Sequence, residues 1–153
     1  MPTITPFLWF DSQAEEAMNF YMSIFRNGKV LSVQRVDGQF MAVTFELAGQ
    51  KLIGLNGGPL FKFTEAVSLF VEVETQEEVD ELWEKLSAGG VKSRCGWLKD
   101  KYGLSWQIIP KALGKLMSDP DPEKAQAVVQ AMLKMDKIVI QDLQKAYEGR
   151  TAA

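Results

Sequence analysis

Apolar residues in the first third of the chain change spacing in a way that predicts a strand, a helix and three further strands. An apolar and aromatic run over residues 3–10 predicts the first strand, and apolar residues three to four positions apart predict a helix ending near Arg26. Alternation with period two predicts the other strands, and Asp37-Gly38 is typical of a hairpin turn. These strands are expected at Lys29–Val36, Met41–Leu47 and Lys51–Leu55. The predicted order is βαβββ.

The same pattern returns after residue 66, so the chain contains an internal repeat. A shift of 62 residues places Glu15-Glu16 on Glu77-Glu78 and Phe20-Tyr21 on Leu82-Trp83. The second copy is shorter between its helix and its last strand. Its strands are expected at Val67–Val73, Val91–Leu98 and Leu104–Pro110, with a turn over Lys99–Gly103. Lys99-Asp100-Lys101 is interpreted as a solvated turn.

Capping motifs mark where the helices begin. Ser12-Gln13-Ala14-Glu15 and Thr75-Gln76-Glu77-Glu78 both match the capping box, in which a hydroxyl accepts from a backbone amide three residues on and a carboxylate reaches back. After the repeat, Asp121-Pro122 predicts the start of a tail helix, and Gly149 is expected to end the last one. Asn56-Gly57-Gly58-Pro59 is interpreted as a connecting loop, because a phosphate-binding loop needs a helix directly behind it.

Composition excludes several classes of function. The chain has 153 residues with 46% hydrophobic and 24% charged residues, as expected of one globular domain. A net charge of -3 argues against a nucleic-acid partner. A single cysteine rules out an intrachain disulfide and favours a cytoplasmic protein. No apolar run of membrane-spanning length and no signal-peptide pattern is found, so no membrane partner is expected.

The chain also contains no histidine, which excludes catalytic triads and metal sites that need imidazole. No G-x-G-x-x-G motif follows a predicted strand, and no alternating β/α run is present. Dinucleotide-type cofactor sites are therefore not expected.

Several segments of the chain carry a resemblance to a known family. They are Phe20-Tyr21, Asn56–Pro59, Phe61, Phe63–Ser68, Thr75–Trp83, Cys95–Asp100, Gly103–Gln107 and Ala131–Met135. Together with the two βαβββ units in tandem, they resemble the vicinal oxygen chelate superfamily of glyoxalases, bleomycin-resistance proteins and extradiol dioxygenases. Within it, the chain resembles the PhnB-like family, often labelled 3-demethylubiquinone-9 3-methyltransferase. Val139 departs from the aspartate expected before the last helix.

This resemblance implies an α+β fold of two tandem modules followed by a helical tail. The expected division of the single domain (1–153) is module one at 1–56, a linker at 57–66, module two at 67–110 and a helical tail at 111–149. It also implies a homodimer, which the exposed edges of open, curved sheets favour.

In metal-dependent relatives, a histidine in the first strand and a glutamate in the last strand of each module hold the metal. The matching positions here are Pro6 and Ser68 for the histidines, and Ile53 and Gln107 for the glutamates. None of these residues offers an imidazole or a carboxylate. We therefore predict no metal and no cofactor.

The resemblance implies a cavity in each curved sheet, and this suggests candidate site residues. If Ser68 and Gln107 face the cavity, strand alternation brings Phe70, Glu72 and Ser105 to the same face. Glu72 could act as a general acid or base or lie solvated at its strand end, and Gln107 could orient a ligand carbonyl or satisfy a backbone group. The matching face of module one is expected to carry Leu8 and Phe10.

Three functions remain open on this basis. The first is a metal-independent protein that binds a small, partly apolar ligand through Leu8, Phe10, Ser68, Phe70 and Ser105. The second is an enzyme (a lyase, an isomerase or the nominal methyltransferase) that uses Glu72 and Gln107. The third is a non-catalytic structural or interaction dimer whose cavity is filled by its own side chains.

Overall fold

Each half of the chain folds a strand, a helix and further strands into a sheet of four strands. The computed structural model describes residues 1–149. Unit 1 comprises Met1–Thr64, and unit 2 begins at Glu65. The α+β class, the tandem sheets and the helical tail agree with the predicted fold class.

Unit 1 has the predicted βαβββ order, and its sheet order is β1-β4-β3-β2. β1 pairs in parallel with β4, and the other neighbours are antiparallel. A Cβ on Gly54 would lie 3.5 Å from Ala14 of the helix and from the Phe10 ring, which is ordinary contact, so this face of the sheet packs on the helix. The elements are β1 (Phe7–Phe10), α1 (Ala14–Ile24), β2 (Lys29–Val36), β3 (Gln39–Leu47) and β4 (Gln50–Asn56).

The capping box predicted at Ser12 is wrong. Gln13 is the N-cap of α1, its backbone lies outside the extended region, and no side chain within the cap accepts a helix amide. A capping box needs an extended N-cap residue that carries the hydroxyl. Asn56 at the end of β4 takes over this role, because its Oδ1 accepts the Ala14 amide at 2.8 Å.

The loop after β4 is built against the end of β1. Gly57 donates to the Phe10 carbonyl at 2.8 Å, and the Trp9 indole donates to the Gly58 carbonyl at 2.9 Å. A Cβ on Gly57 would lie 2.3 Å from the Trp9 ring, and Gly58 has φ +89°. Both glycines are thus required by close packing and by backbone conformation.

Unit 2 repeats the arrangement with shorter outer strands, in the order β5-β8-β7-β6. The strand predicted over 91–98 is wrong as one piece, because Cys95 (φ 59°) and Gly96 (φ 82°) break it into two. The capping box at Thr75 is confirmed: its hydroxyl accepts the Glu78 amide, and the Glu78 carboxylate accepts the Thr75 amide. The elements are β5 (Ser68–Val73), α2 (Gln76–Ser87), β6 (Val91–Lys92), β7 (Trp97–Lys99) and β8 (Ser105–Pro110).

Within unit 2, a helical tail packs against β8 through an apolar cluster. Asp121 caps α4 by accepting the Glu123 amide at 3.0 Å, which confirms the predicted start there. The tail helices are α3 (Lys111–Met117), α4 (Pro122–Met132) and α5 (Ile140–Tyr147). The buried cluster consists of Ile109, Leu113, Val128, Ile138 and Leu143.

Gln76 at the start of α2 attaches the last helix. Its Nε2 donates to the Ile138 carbonyl, and its Oε1 accepts the Ile140 amide at 2.8 Å. Val139, the N-cap of α5, has no side-chain acceptor to offer. The amide that the family's aspartate was expected to cap is therefore satisfied from α2.

Candidate functional site

The two faces of the sheet in unit 2 have different environments. Trp106 and Ile108 are buried on the face against which α2 packs. On the opposite face, Ser105 lies in register between Ser68 of β5 and Lys99 of β7. Paired residues of neighbouring strands point the same way, so these three side chains form a polar row across that face.

A pocket of about 300 Å³ lies on this opposite face. Ser105 is 1% exposed, and its Oγ has no hydrogen-bond partner among residues 1–149. An unsatisfied buried hydroxyl costs roughly 1–3 kcal/mol, so an acceptor entering the pocket would stabilise it. The lining residues are Glu65, Val91, Ser93, Trp97, Leu98, Lys99 and Ser105.

An ion pair lies among the lining residues. The Lys99 ammonium contacts a carboxylate oxygen of Glu65. The hydrogen bond from Lys99 is the main reason why the pKa of Glu65 is below its ordinary value. Lys99 is fixed on β7, whereas Glu65 lies in the turn before β5, so the two partners differ in how firmly the backbone holds them.

Asp100, next to the pocket, is a buried carboxylate rather than the solvated residue predicted for this turn. It is 2% exposed. Its Oδ1 accepts the amides of Tyr102 and Leu104 at 2.9 and 3.1 Å, and its Oδ2 accepts the Trp106 indole N–H at 2.9 Å. The spacing from Asp100 to Gly103 is typical of a tight turn, so the sequence could have indicated the two backbone contacts. The contact with the Trp106 indole depends on how the strands pair, and the sequence does not show it.

The predicted residues of unit 2 lie on the same face as the pocket, with different exposure. Gln107 donates from Nε2 to the Ser68 hydroxyl at 3.0 Å, and both are half-buried. Phe70 is 57% exposed, and Glu72 is exposed near the end of β5. Of the predicted set, Ser105 lines the pocket directly. The catalytic roles assigned to Glu72 and Gln107 stay predictions.

Leu8 and Phe10 lie in the core of unit 1, on the face that α1 covers. The positions expected for glutamate in relatives, Ile53 and Gln107, pair with Phe7 and Phe70. Phe7 and Phe70 are one residue further apart in the sequence than the repeat shift of 62. The sequence alignment of the two modules is therefore offset by one residue in their first strands. The open face of β1 carries Phe7, and the binding role of Leu8 and Phe10 stays a prediction.

The residues at the four expected ligand positions do not fit a divalent metal. Pro6 and Ile53 offer no side-chain donor, and Ser68 and Gln107 are neutral and bonded to each other. Across residues 1–149, no group of three or more His, Cys, Asp or Glu is arranged to hold a metal ion.

Comparison with known proteins identifies the family. The sequence profile of the 3-demethylubiquinone-9 3-methyltransferase family matches residues 2–109. The chain belongs to this family. Its match ends at the last strand of unit 2, so helices α3–α5 lie outside the matched region.

Solved structures share the fold of this chain. The PhnB protein from Bacillus cereus is 38% identical, with 71% of this chain and 99% of that chain covered and a TM-score of 0.66. A glyoxylase/bleomycin resistance protein/dioxygenase domain from Frankia is 18% identical, with 72% and 92% covered and a TM-score of 0.52. This second likeness supports the fold alone.

The fosfomycin resistance protein FosX from Listeria monocytogenes, solved with Mn(II) and sulfate, has the same fold at 17% identity. The match covers 71% of this chain and 89% of the FosX chain, with a TM-score of 0.54. None of the curated proteins matches this chain. Within residues 1–149, no helix combines the length and the apolar character that crossing a membrane requires.

Proposed function

We propose that this protein binds a small, partly apolar molecule in the unit 2 pocket, without a metal ion. The observation that carries the proposal is the buried, unpaired hydroxyl of Ser105 in a pocket of about 300 Å³. Trp97 and Val91 supply the apolar walls. Small-molecule sites usually combine such walls with a few convergent polar groups and measure roughly 300–1,000 Å³.

Ser68, Phe70 and Gln107 extend the proposed binding face beyond the pocket. Ser68 is the register partner of Ser105 on β5, and Gln107 follows Ser105 by two residues on β8. Residues two apart on a strand share a face. A ligand longer than the pocket would therefore reach the Gln107–Ser68 hydrogen bond first.

A fragment screen by NMR tests this function. The Trp97 indole signal, assigned with a Trp97→Phe variant, is expected to shift when a fragment binds. Ser105→Ala is expected to weaken binding by about 2- to 12-fold, the loss of one net hydrogen bond. Ser118→Ala is the control, because the Ser118 hydroxyl is exposed and bonds to the Gly114 carbonyl outside the pocket. Fragments that shift no pocket residue would contradict the proposal.

Metal independence is part of the proposal and rests on the donor set. No imidazole exists in the chain, and the four expected ligand positions carry no carboxylate. A divalent ion would lose more hydration energy than neutral donors return. Fragment affinity is expected to stay the same after EDTA treatment and dialysis. Affinity that collapses on chelation and returns with zinc or manganese would contradict it.

We also propose a homodimer, supported by the exposed edge strand β2 of unit 1. All eight residues of β2 are exposed, including Leu31 and Val33 at 43% each. A long edge strand with exposed apolar side chains favours pairing with another strand or another copy. Val33→Lys is expected to shift the mass measured by light scattering from dimer to monomer. Leu60→Lys, on an exposed loop residue, is the control, and an unmodified protein that is monomeric at about 100 μM would contradict the proposal.

A cytoplasmic location is the last part of the proposal. Its support is the single cysteine, which excludes a disulfide within the chain. Cell fractionation is expected to recover the protein with cytoplasmic markers.

A further inference from the structure

The polar groups of the unit 2 pocket are concentrated at one point. Lys99 and Ser105 are direct register partners in the antiparallel pair β7–β8, which brings their Cβ atoms to about 4.5–5.5 Å. Lys99 supplies an ammonium, and Ser105 supplies a hydroxyl without a partner. Both groups can donate to a single acceptor, and the ammonium favours an acceptor with negative charge.

The Glu65 carboxylate occupies the position of that negative charge, but its ion pair with Lys99 is weak. The side chains of Lys99 and Glu65 are 41% and 60% exposed. Exposed ion pairs contribute little to stability, because water screens the two charges. Glu65 belongs to a turn outside the sheet, so it can move away from Lys99 without breaking a strand ladder.

The pocket differs from the site of an ordinary surface ion pair because it also contains the buried hydroxyl of Ser105. Glu65 satisfies Lys99 yet leaves the Ser105 hydroxyl unpaired. A ligand whose acceptor atoms lie deeper than the Glu65 carboxylate would satisfy both groups at once. It would gain the charge of Lys99 and remove the cost of the buried hydroxyl.

We infer that the ligand is a small organic anion whose carboxylate replaces Glu65 at Lys99 and accepts the Ser105 hydroxyl. Its apolar part then packs on Trp97 and Val91. This inference rests on the proposed function and adds the chemical class of the ligand. Glu65 acts as an internal competitor that the ligand displaces.

The volume of the pocket suits a small anion. About 300 Å³ is at the lower end of the range for small-molecule sites. A monocarboxylic acid with about ten non-hydrogen atoms fits this space.

Two matched pairs of probes test the inference: benzoate against benzamide, and cyclohexanecarboxylate against cyclohexanecarboxamide. Each pair has one shape, and only the acid carries a charge. NMR titration should show tighter binding of the acids, and their affinity should fall as salt is added. Lys99→Met is expected to weaken binding of the acids more than binding of the amides, so that the preference for the acids is lost.

Glu65→Gln gives the sharpest readout, because it removes the competing charge and leaves Lys99 in place. Acid affinity should rise up to about 5-fold, the equivalent of the exposed ion pair. Glu84→Gln is the matched control, since it breaks the equally exposed Lys92–Glu84 pair away from the pocket lining. It is expected to leave both affinities unchanged.

The outcomes separate this inference from the proposed function. Amides that bind as tightly as their acids, or Glu65→Gln without effect on acid affinity, would overturn the inference and leave a neutral-ligand pocket in place. No binding of any of the four probes at about 10 mM, a concentration that detects even millimolar affinities, would overturn both.

Discussion

The Asp100 side chain stabilises the turn that positions Ser105 and Lys99. A carboxylate that is 2% exposed would be costly without partners, and three N–H groups compensate for it. Two of them are backbone amides of the turn, and the third is the Trp106 indole. The pocket therefore depends on a residue that does not line it.

Asp100→Asn is expected to lower the free energy of unfolding by about 1–3 kcal/mol. The carboxamide oxygen can still accept the two turn amides, but its NH₂ group then faces the Trp106 N–H, and two donors meet. Urea denaturation measures the change.

A double-mutant cycle with Trp106→Phe is the control for this prediction. If the indole contact is the cause, Asp100→Asn should cost less in the Trp106→Phe background. Equal costs in both backgrounds would contradict this explanation.

Ser105→Ala should separate ligand binding from stability. The hydroxyl has no partner among residues 1–149, so its removal takes away a desolvation cost and no hydrogen bond. The free energy of unfolding is expected to stay the same or to rise, although ligand affinity falls. A loss of more than about 1 kcal/mol in urea denaturation would indicate a structural role instead.

At the level of elements, the two helices on the sheets start in different ways although their sequences look alike. Thr75 caps α2 within its own motif, whereas Asn56 caps α1 from a strand that is distant in the sequence. Local motifs predict contacts that depend on the backbone nearby, and only the paired strands bring Asn56 to α1.

Substitutions at the caps test this difference. Thr75→Ala and Asn56→Ala are each expected to lower the free energy of unfolding by about 0.5–2 kcal/mol, because each removes an acceptor from a helix amide. Ser12→Ala is the matched control and should change it by less than about 0.5 kcal/mol. A Ser12→Ala cost equal to that of Thr75→Ala would show that the predicted capping box forms after all.

The sequence alone predicts the order of most elements and the side chains that lie on the open face of β8. Alternation on β5 and β8 correctly grouped Ser68, Ser105 and Gln107, because period two is a property of any strand. It did not reveal the break at Cys95-Gly96, since their positive φ values accompany backbone bonds to residues 135 and 136 in the tail. It also did not reveal that Glu65 and Trp97 line one pocket, which requires the folded sheet.

At the level of the whole molecule, the tail is held against the rest of unit 2 by polar as well as apolar contacts. Asp80 on α2 accepts from Gln76 and pairs with Lys137 at 2.9 Å. These two contacts, the Gln76 hydrogen bond first, hold the pKa of Asp80 below its ordinary value of 3.8. A lowered pKa means that Asp80 contributes stability above this value, and that the contribution disappears as the pH falls through the folded-state pKa.

The stability difference between the unmodified protein and Asp80→Asn should therefore shrink as the pH is lowered from about 5 to about 2. Urea denaturation at each pH measures it. A difference that stays constant over this range would mean that the Asp80 charge does not help to hold the tail.

The apolar cluster should contribute more than the polar contacts do. Leu143→Ala is expected to lower the free energy of unfolding by about 2–5 kcal/mol, because Leu143 is fully buried against α3 and α4. Leu133→Ala, at an exposed position of the tail, is the control and should cost far less. Equal losses would show that the cluster is not the main contact of the tail.

A crystal structure of the full chain soaked with benzoate tests the central claim most directly. The account predicts benzoate in the unit 2 pocket, with a carboxylate oxygen within hydrogen-bond distance of Ser105 Oγ and Lys99 Nζ, and with Glu65 displaced. A pocket closed by the protein's own side chains, or benzoate bound only elsewhere, would contradict it.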